Sequence, residues 1–307
     1  MTKKEAGKNG LIELFRFLCS LWVAYYHGFA PVITEKFGGV NISVDFFLML
    51  SGFFFLKSIE KYRERPFFEG ARFIFLGRTK RFIVPLIIAA LSVLYCNIAF
   101  EMDLSFNWPF SFLWFFAAQF TFLSLYYLVY KNVKKISTFN IVCVIAICIS
   151  LSLFRLELKG LDIFFRSPAM LAIGMLLSQV PKIKINLENE QKAGKIRLTL
   201  NAIGFTVSAA LFLYLAYIPE YTIFILHFFT CVVCTSLIYF ASELPVRSKF
   251  LNFLGEFSVF VYLAQCPLLI NYYSSDKTTT EVFPWLCVYA VALFILNRII
   301  NKMKLIK

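Results

Sequence analysis

Long, uninterrupted runs of apolar residues recur along almost the whole chain and restrict its fold more than any other feature. An α-helix needs about 20 apolar residues to cross the hydrocarbon core of a bilayer. Runs of about this length lie at 11–31, 40–58, 82–100, 109–130, 136–154, 162–180, 198–217, 220–241, 251–272 and 282–301. Because they are continuous rather than alternating, they do not fit the strands of a transmembrane β-barrel. We therefore predict an all-α integral membrane protein, a bundle of about ten transmembrane helices.

Composition excludes the soluble classes of protein. Hydrophobic residues make up 60% of the chain and charged residues 16%, whereas an ordinary soluble domain has roughly 45–50% and about 25%. With 38 Phe and 15 Tyr, too little polar surface remains to cover the apolar side chains in water, and disorder is excluded on the same grounds. Since the stretches between the apolar runs are short, we expect a single transmembrane domain over 1–307 with no fused soluble domain.

The basic residues indicate which side of the membrane each loop faces. The net charge is +13, and the 31 Lys and Arg residues cluster between the apolar runs, as they do on a cytoplasmic face, rather than forming a nucleic-acid groove. With the N-terminus inside, 25 of them fall on cytoplasmic segments, and Arg16 lies within the first run. The other five fall outside: Lys36, Arg155, Lys159, Arg166 and Lys277. This pattern predicts cytoplasmic termini and a basic amphipathic segment at the cytoplasmic interface over 59–81.

The cysteines do not indicate a metal or disulfide site. All 8 lie in apolar runs, where a thiol packs like a small hydrophobic side chain. Cys231 and Cys234 form a CxxC pair, but no second pair or polar ligand accompanies them. Core packing is the better interpretation, and we expect no metal.

Ionisable residues in the first apolar run are candidates for function, because each costs at least a few kcal/mol in the membrane. Arg16 and His27 are eleven residues apart, so a helix places them on one face about 16 Å apart along its axis. Arg16 would lie near the cytoplasmic side and His27 near the outer side. Glu13 has the spacing of an ion pair with Arg16. The alternative for Arg16 is a side chain whose charged group only extends to the membrane interface. The alternative for His27 is an imidazole that only packs, hydrogen-bonded, between helices.

Asp45 lies about a turn below the outer surface in the second run, at the predicted depth of His27. A carboxylate beside an imidazole would orient it and raise its basicity, which suits a general base. His227 and Gln265 lie somewhat deeper in the eighth and ninth runs and are weaker candidates. A hydrogen-bonded core histidine is the simpler interpretation of His227.

Two ends of one site therefore emerge. Arg16 and the cluster Arg78, Lys80 and Arg81 would bind phosphate groups at the cytoplasmic end. His27 and Asp45 would act as a base and its orienting group at the outer end. Such an arrangement predicts the transfer of a chemical group across a membrane.

The same residues resemble a known family. Arg16, ten further residues and His27 resemble the R-X10-H signature of the acyltransferase-3 family of integral membrane acyltransferases, and Glu13 stands where that family commonly has an acidic residue. Further matches extend along the chain: Val44, Asp45, Phe46, Phe47, Ser51, Gly52 and Phe53; Arg78, Arg81 and Pro85; Arg166 with Gly174; Leu254, Gly255, Ser258, Tyr262, Leu263 and Pro267. Two positions depart from the pattern: Gln265 replaces a usual His, and Gln119 follows Trp114 where an acidic residue is usual.

The resemblance implies an O-acyltransferase that moves an acyl group, usually acetyl from acetyl-CoA, onto a sugar hydroxyl. The acceptor would be a cell-surface polysaccharide or lipopolysaccharide, or a lipid-linked sugar precursor. The protein would reside in a bacterial inner membrane. Arg16, Arg78, Lys80 and Arg81 would bind the coenzyme A phosphates. His27 would deprotonate the acceptor, with a covalent acyl-His27 relay as the less favoured variant.

Two weaker expectations accompany this assignment, and one alternative function remains beside it. Arg166, His227 and Gln265 are candidates for binding the acceptor. An extracytoplasmic partner could handle the acyl group after transfer. A transporter or flippase of an anionic or glycolipid solute would also explain buried ionisable residues, but not their match to this pattern, and a purely structural membrane protein needs no such residues.

Overall fold

The computed structural model describes residues 8–33, 40–76, 108–154, 162–217, 223–272 and 279–302, together with the single positions 83, 87, 90, 91, 94 and 98. Within these ranges every regular element is a helix and none is a strand. The all-α fold class is therefore confirmed.

The helices follow the apolar runs closely. They are α1 (Gly10–Ile33), α2 (Val40–Ile59), a 3-10 turn (Glu60–Tyr62), α3 (67–76), α4 (Trp108–Asn132), α5 (Ile136–Phe154), α6 (Asp162–Leu177), α7 (Glu190–Tyr217), α8 (Ile223–Glu243), α9 (Lys249–Tyr272) and α10 (Thr279–Lys302). α3 matches no apolar run and lies within the segment 59–81 that is predicted to be amphipathic. Among the other helices the largest difference is in α7, which begins eight residues before the predicted start at 198, because charged residues with good helix propensity precede its apolar part. The predicted run 82–100 is described only at the six single positions, all of them helical.

Several helices have the length and apolar character of membrane spans. Among the described residues, Ile42–Tyr62, Ile136–Leu153 and Glu190–Tyr217 are long and apolar enough to cross a bilayer, and Phe164–Leu177, His227–Glu243 and Leu286–Ile300 are shorter apolar helices. Large apolar side chains such as Ile141 on α5 and Ile203 on α7 are exposed, as lipid-facing positions require. The number of ten crossings and the cytoplasmic termini stay predictions.

Two glycines determine how closely α2 and α6 pack. A Cβ atom at Gly52 would lie 2.0 Å from the carbonyl oxygen of Leu171, and one at Gly174 would lie 1.9 Å from that of Met49. Only glycine permits this approach, and small residues at helix crossings are typical of membrane bundles. These glycines lie in the second half of each helix, and the first halves meet at the ionisable residues Asp45 and Arg166.

A second long contact joins α1 to α9, side by side and in the same direction. The contacts rise together along both helices: Gly10 meets Leu251, Glu13 meets Gly255, and Phe17 meets Phe257. The first residue of α1 is also tied to the α8–α9 connection, because the Gly10 amide donates to the Val246 carbonyl at 2.8 Å.

The segment after α2 is anchored on the C-terminal end of α4. The Tyr127 hydroxyl donates to the Tyr62 carbonyl at 2.9 Å, and Arg63 donates to the Val133 carbonyl at 2.9 Å. The Tyr130 hydroxyl bonds to Glu60. Within the same segment Phe68 is 82% exposed. The predicted interfacial location of 59–81 is not tested by these contacts and stays a prediction.

Candidate functional site

A large cavity opens at one end of the bundle. Its volume is about 1270 Å³, and its lining comes from α1, α2, α4, α5, α6, α8 and α9 and the segments beside them. The charged lining residues belong to the beginning of α1 and to the ends of α2, α6 and α8: Lys8, Glu13, Arg16, Lys57, Glu60, Lys182 and Glu243. These termini all face the side that the charge pattern predicts to be cytoplasmic.

Two lysines at the mouth of the cavity pair with carboxylates that differ in burial. Lys8 lies 2.8 Å from Glu256, with the two side chains 40% and 50% exposed. An exposed pair of this kind contributes about 0–1 kcal/mol, so Lys8 can exchange Glu256 for an anionic ligand at little cost. Lys182 is 69% exposed, but its partner Glu243, 3.2 Å away, is only 9% exposed.

Arg16 projects into the cavity from a defined position. Its Nη1 atom donates to Glu13 Oε2 at 2.8 Å, which confirms the ion pair that the spacing predicts. A Cβ at Gly255 would lie 1.7 Å from Glu13 Oε2, so this glycine on α9 makes the space for the carboxylate. A guanidinium has five N–H donors in a rigid fork, and the bond to Glu13 uses one of them.

A polar belt lies deeper in the cavity. It consists of Ser20, Ser51, Gln119 and Ser258, from four different helices. Gln119 donates to the Ser51 hydroxyl at 3.2 Å, and the Ser258 hydroxyl donates to the Gly255 carbonyl at 2.8 Å. Sequence reasoning noted Gln119 only as a departure from the family pattern and missed Ser20. The spacing in the sequence could have indicated Ser20 as a lining residue, because it lies one helical turn beyond Arg16 on the same face.

Aromatic rings occupy the innermost described part of the cavity. Tyr262 on α9 contacts Phe47 on α2 and Phe115 on α4, with ring centroids 6.4 and 6.0 Å away. Phe47 and Phe115 also contact each other at 6.5 Å. From the mouth inward, the lining therefore changes from charged to polar to aromatic.

A second group of ionisable residues lies buried among α2, α6 and α8. Arg166 Nε is 3.0 Å from Asp45 Oδ1, and the two side chains are 1% and 0% exposed. His227 Nδ1 is 3.8 Å from Asp45 Oδ2, with the His227 side chain 12% exposed. From here on these three residues are called the Asp45 network.

The structure places Arg166 differently from the charge pattern. The pattern puts Arg166 among the charges of the outer loops, but its side chain lies inside α6 and is one of the most fully buried. Its charge is matched by Asp45 within the bundle, so it does not report the orientation of a loop. Its predicted role in binding the acceptor is not tested.

The predicted contact between Asp45 and His27 lies outside the described side chains. The backbone of α1 is helical from Arg16 through His27, so the two residues share one face at about 16 Å separation, as the spacing predicts. The side chains of His27 and Gln265 are not among those described. Neither are Arg78, Lys80 and Arg81. The catalytic and phosphate-binding roles of these residues stay predictions.

The CxxC pair packs in the bundle. Cys231 Sγ lies 3.7 Å from Met170 Sδ, and Cys234 Sγ lies 3.7 Å from the Ile42 carbonyl. Both thiols are free, and the predicted core packing is confirmed for this pair. Among the described residues, no three His, Cys, Asp or Glu side chains are grouped so that they could hold a metal ion.

Comparison with known proteins gives one match. The model of a family described as an acyltransferase domain matches residues 9–300. That range contains the Asp45 network and the whole cavity lining except Lys8. No curated protein and no solved structure matches the chain.

Proposed function

The chain belongs to the acyltransferase-3 family and is a membrane acyltransferase, and we propose that it transfers an acyl group from cytoplasmic acyl-CoA to a sugar hydroxyl. The acyl group is acetyl in the simplest case. The acceptor is a cell-surface glycan or its lipid-linked precursor, and the protein resides in a bacterial inner membrane.

The observation that carries this proposal is the layered cavity. Coenzyme A has a phosphate-rich head, an arm with two amides and a terminal thioester. Four cations line the mouth, and the exposed pair of Lys8 with Glu256 can open for the phosphate-rich head. The polar belt of Ser20, Ser51, Gln119 and Ser258 offers hydrogen-bond partners to the amides of the arm. The order of the layers matches the order of groups along the donor.

Arg16 has a defined part in this proposal. It binds an oxygen of the donor while Glu13 holds one edge of its guanidinium at 2.8 Å. A side chain that is already held loses less conformational entropy on binding than a free one. We expect Arg78, Lys80 and Arg81 to add to the phosphate-binding charge.

The transfer itself requires a base near the outer end of α1. In our proposal the acceptor hydroxyl oxygen attacks the thioester carbonyl carbon while the His27 imidazole takes the hydroxyl proton. The carbon–sulfur bond breaks, and the thiolate that leaves takes the proton from the imidazolium. The products are the O-acyl ester and free coenzyme A, with His27 neutral again.

Asp45 is kept as a weaker proposal for the group that orients this base. Its carboxylate lies 3.0 Å from a buried guanidinium, and the ring of its neighbour Phe46 lies 6.2 Å from that of Phe15, twelve residues before His27 on α1. His227 approaches the other oxygen of the same carboxylate. It therefore belongs with the support of Asp45, and the acceptor-binding role of Gln265 is kept as a weaker proposal.

Purified protein with labelled acetyl-CoA and the lipid-linked sugar fraction of its host tests this function. We expect release of free thiol that depends on the sugar fraction, with the label recovered as an ester. Mass spectrometry of surface glycans from a deletion strain should show the loss of the same ester. Movement of the sugar lipid across vesicles without thiol release would instead support a flippase.

A further inference from the structure

The innermost layer of the cavity is a cluster of aromatic rings, and no step of the proposed transfer uses it. Tyr262 is its centre, in contact with Phe47, Phe115 and Phe116 at centroid distances of 6.4, 6.0 and 6.4 Å. These distances lie within the range of directly packed rings. From here on these four residues are called the aromatic collar.

The collar lies at the inner end of the cavity, on the side toward the level of His27. Gly255 on α9 faces Glu13 on α1, and Tyr262 and Ser20 each lie seven residues farther along these parallel helices, about 10 Å on. His27 lies seven residues beyond Ser20, about another 10 Å. On α2, Phe47 follows Asp45 by two residues. A thioester that moves from the cavity toward His27 must therefore pass the level of the collar.

The rings differ in how firmly they are held. Phe115 and Phe116 are buried, with 7% and 6% of their surface exposed. Phe47 and Tyr262 are only partly buried, and all four rings line the cavity. Because Phe115 and Phe116 are the more buried, a passage for the acyl group would open by displacement of Phe47 and Tyr262.

We infer that the aromatic collar determines which acyl groups this enzyme accepts, an inference that rests on the proposed function. Rotation of Tyr262 opens a passage wide enough for an extended arm and a slender acyl group, whereas a branched or ring-containing acyl group requires that both partly buried rings be displaced. The selection is by cross-section rather than by chain length, because a straight chain can pass lengthwise. Acetyl and other straight short acyl groups are therefore accepted, and isobutyryl and benzoyl groups are rejected.

The chain offers a matched control. Phe253 lies on α9 like Tyr262 and belongs to a second ring cluster, with Phe257 and Phe294 at centroid distances of 5.9 and 5.5 Å. None of these three lines the cavity. Loss of the Phe253 ring should thus disturb α9 packing to a similar extent without widening the passage.

The test compares thiol release from acetyl-CoA, isobutyryl-CoA and benzoyl-CoA by the purified full chain. Tyr262→Ala should raise the rate with benzoyl-CoA relative to acetyl-CoA by about tenfold or more, the low end of what one steric mismatch contributes to selectivity. Phe253→Ala should keep the wild-type ratio. Tyr262→Leu serves as the second variant, because it removes the ring but retains most of the apolar volume.

Each outcome has one meaning. If the Tyr262 variants use acetyl-CoA and keep the wild-type ratio of the benzoyl-CoA rate to the acetyl-CoA rate, the inference is overturned and the proposed function stays intact. The same holds if the Tyr262 variants fold but release no thiol from any donor. A Phe253→Ala ratio that changes as much as the Tyr262→Ala ratio also overturns it. A wild-type protein that releases no thiol from any acyl-CoA contradicts the proposed function itself and removes this inference with it.

Discussion

The cavity mouth and the Asp45 network both contain cations and carboxylates, but they use them in opposite ways. At the mouth, the side chains of Lys8 and Glu256 are 40% and 50% exposed and 2.8 Å apart. In the network, Arg166 and Asp45 are 1% and 0% exposed and 3.0 Å apart. Exposed pairs are weak and exchangeable, whereas a buried pair is costly to break. The first arrangement suits a ligand, and the second suits the support of a fixed geometry.

Loss of His27 should have the largest effect on activity, because it removes the group that we propose takes the proton of the acceptor hydroxyl. We expect His27→Ala to lower acyl transfer by about 10²–10⁴-fold while the protein still inserts and folds. Steady-state thiol release and a thermal unfolding curve in detergent measure the two properties. Near-normal transfer by a well-folded variant would remove His27 from the mechanism.

Loss of Arg166 should test the Asp45 network through the stability of the protein. Arg166→Leu leaves Asp45 buried without this cation, and we expect the free energy of unfolding to fall by about 3–5 kcal/mol. The matched change at the mouth, Lys8→Leu, should cost less than about 1 kcal/mol. The double variant Asp45→Asn/Arg166→Leu should regain part of the stability but not the activity. Equal losses for the two single variants would show that the two regions do not differ as we describe.

The helix crossing beneath the network predicts a smaller effect. Gly174→Ala places a methyl group where the Met49 carbonyl oxygen lies 1.9 Å away, and overpacking of this kind costs about 1–3 kcal/mol. Gly194→Ala on α7 is the control, because nothing lies within 4 Å of its added Cβ. It should leave stability unchanged or raise it by up to about 1 kcal/mol through helix propensity. Similar midpoints of unfolding for the two variants would argue against the tight crossing.

Arg16→Lys should have the smallest effect and sharpens the account of the mouth. Lysine keeps the charge and its pairing with Glu13 but loses the planar fork. We expect the KM for acetyl-CoA to rise by about tenfold, within the range of one charge-assisted hydrogen bond, with the KM for the acceptor little changed. Arg298→Lys is the control, since Arg298 lies over the Phe294 ring on α10, away from the cavity lining. Unaltered donor kinetics in Arg16→Lys would mean that Arg16 serves only as an interfacial anchor.

Features that depend on one helix could be predicted from the sequence. The apolar runs gave the helices, and a spacing of three residues gave the Glu13–Arg16 pair, because both follow from helical periodicity. The charged start of α7 could not be predicted from apolar runs, because its residues are good helix formers but are not apolar.

Features that depend on several helices could not be predicted. The partner of Asp45 is Arg166 from α6, more than a hundred residues away along the chain, and no spacing rule joins them. Gly255 matched a motif, but its reason, the space it leaves for Glu13, appears only when α1 lies beside α9. The aromatic collar likewise combines α2, α4 and α9, and a chain with 38 Phe gives no signal for which rings meet.

The measurement that tests the central claim most directly is the sidedness of donor use. The protein is reconstituted in sealed vesicles of known orientation, with the acceptor supplied on both sides and acetyl-CoA on one side at a time. Because the cavity opens at the beginning of α1, the account predicts thiol release only when acetyl-CoA is on the side of the α1 N-terminus. Equal release with acetyl-CoA on either side, or release only from the opposite side, would contradict it.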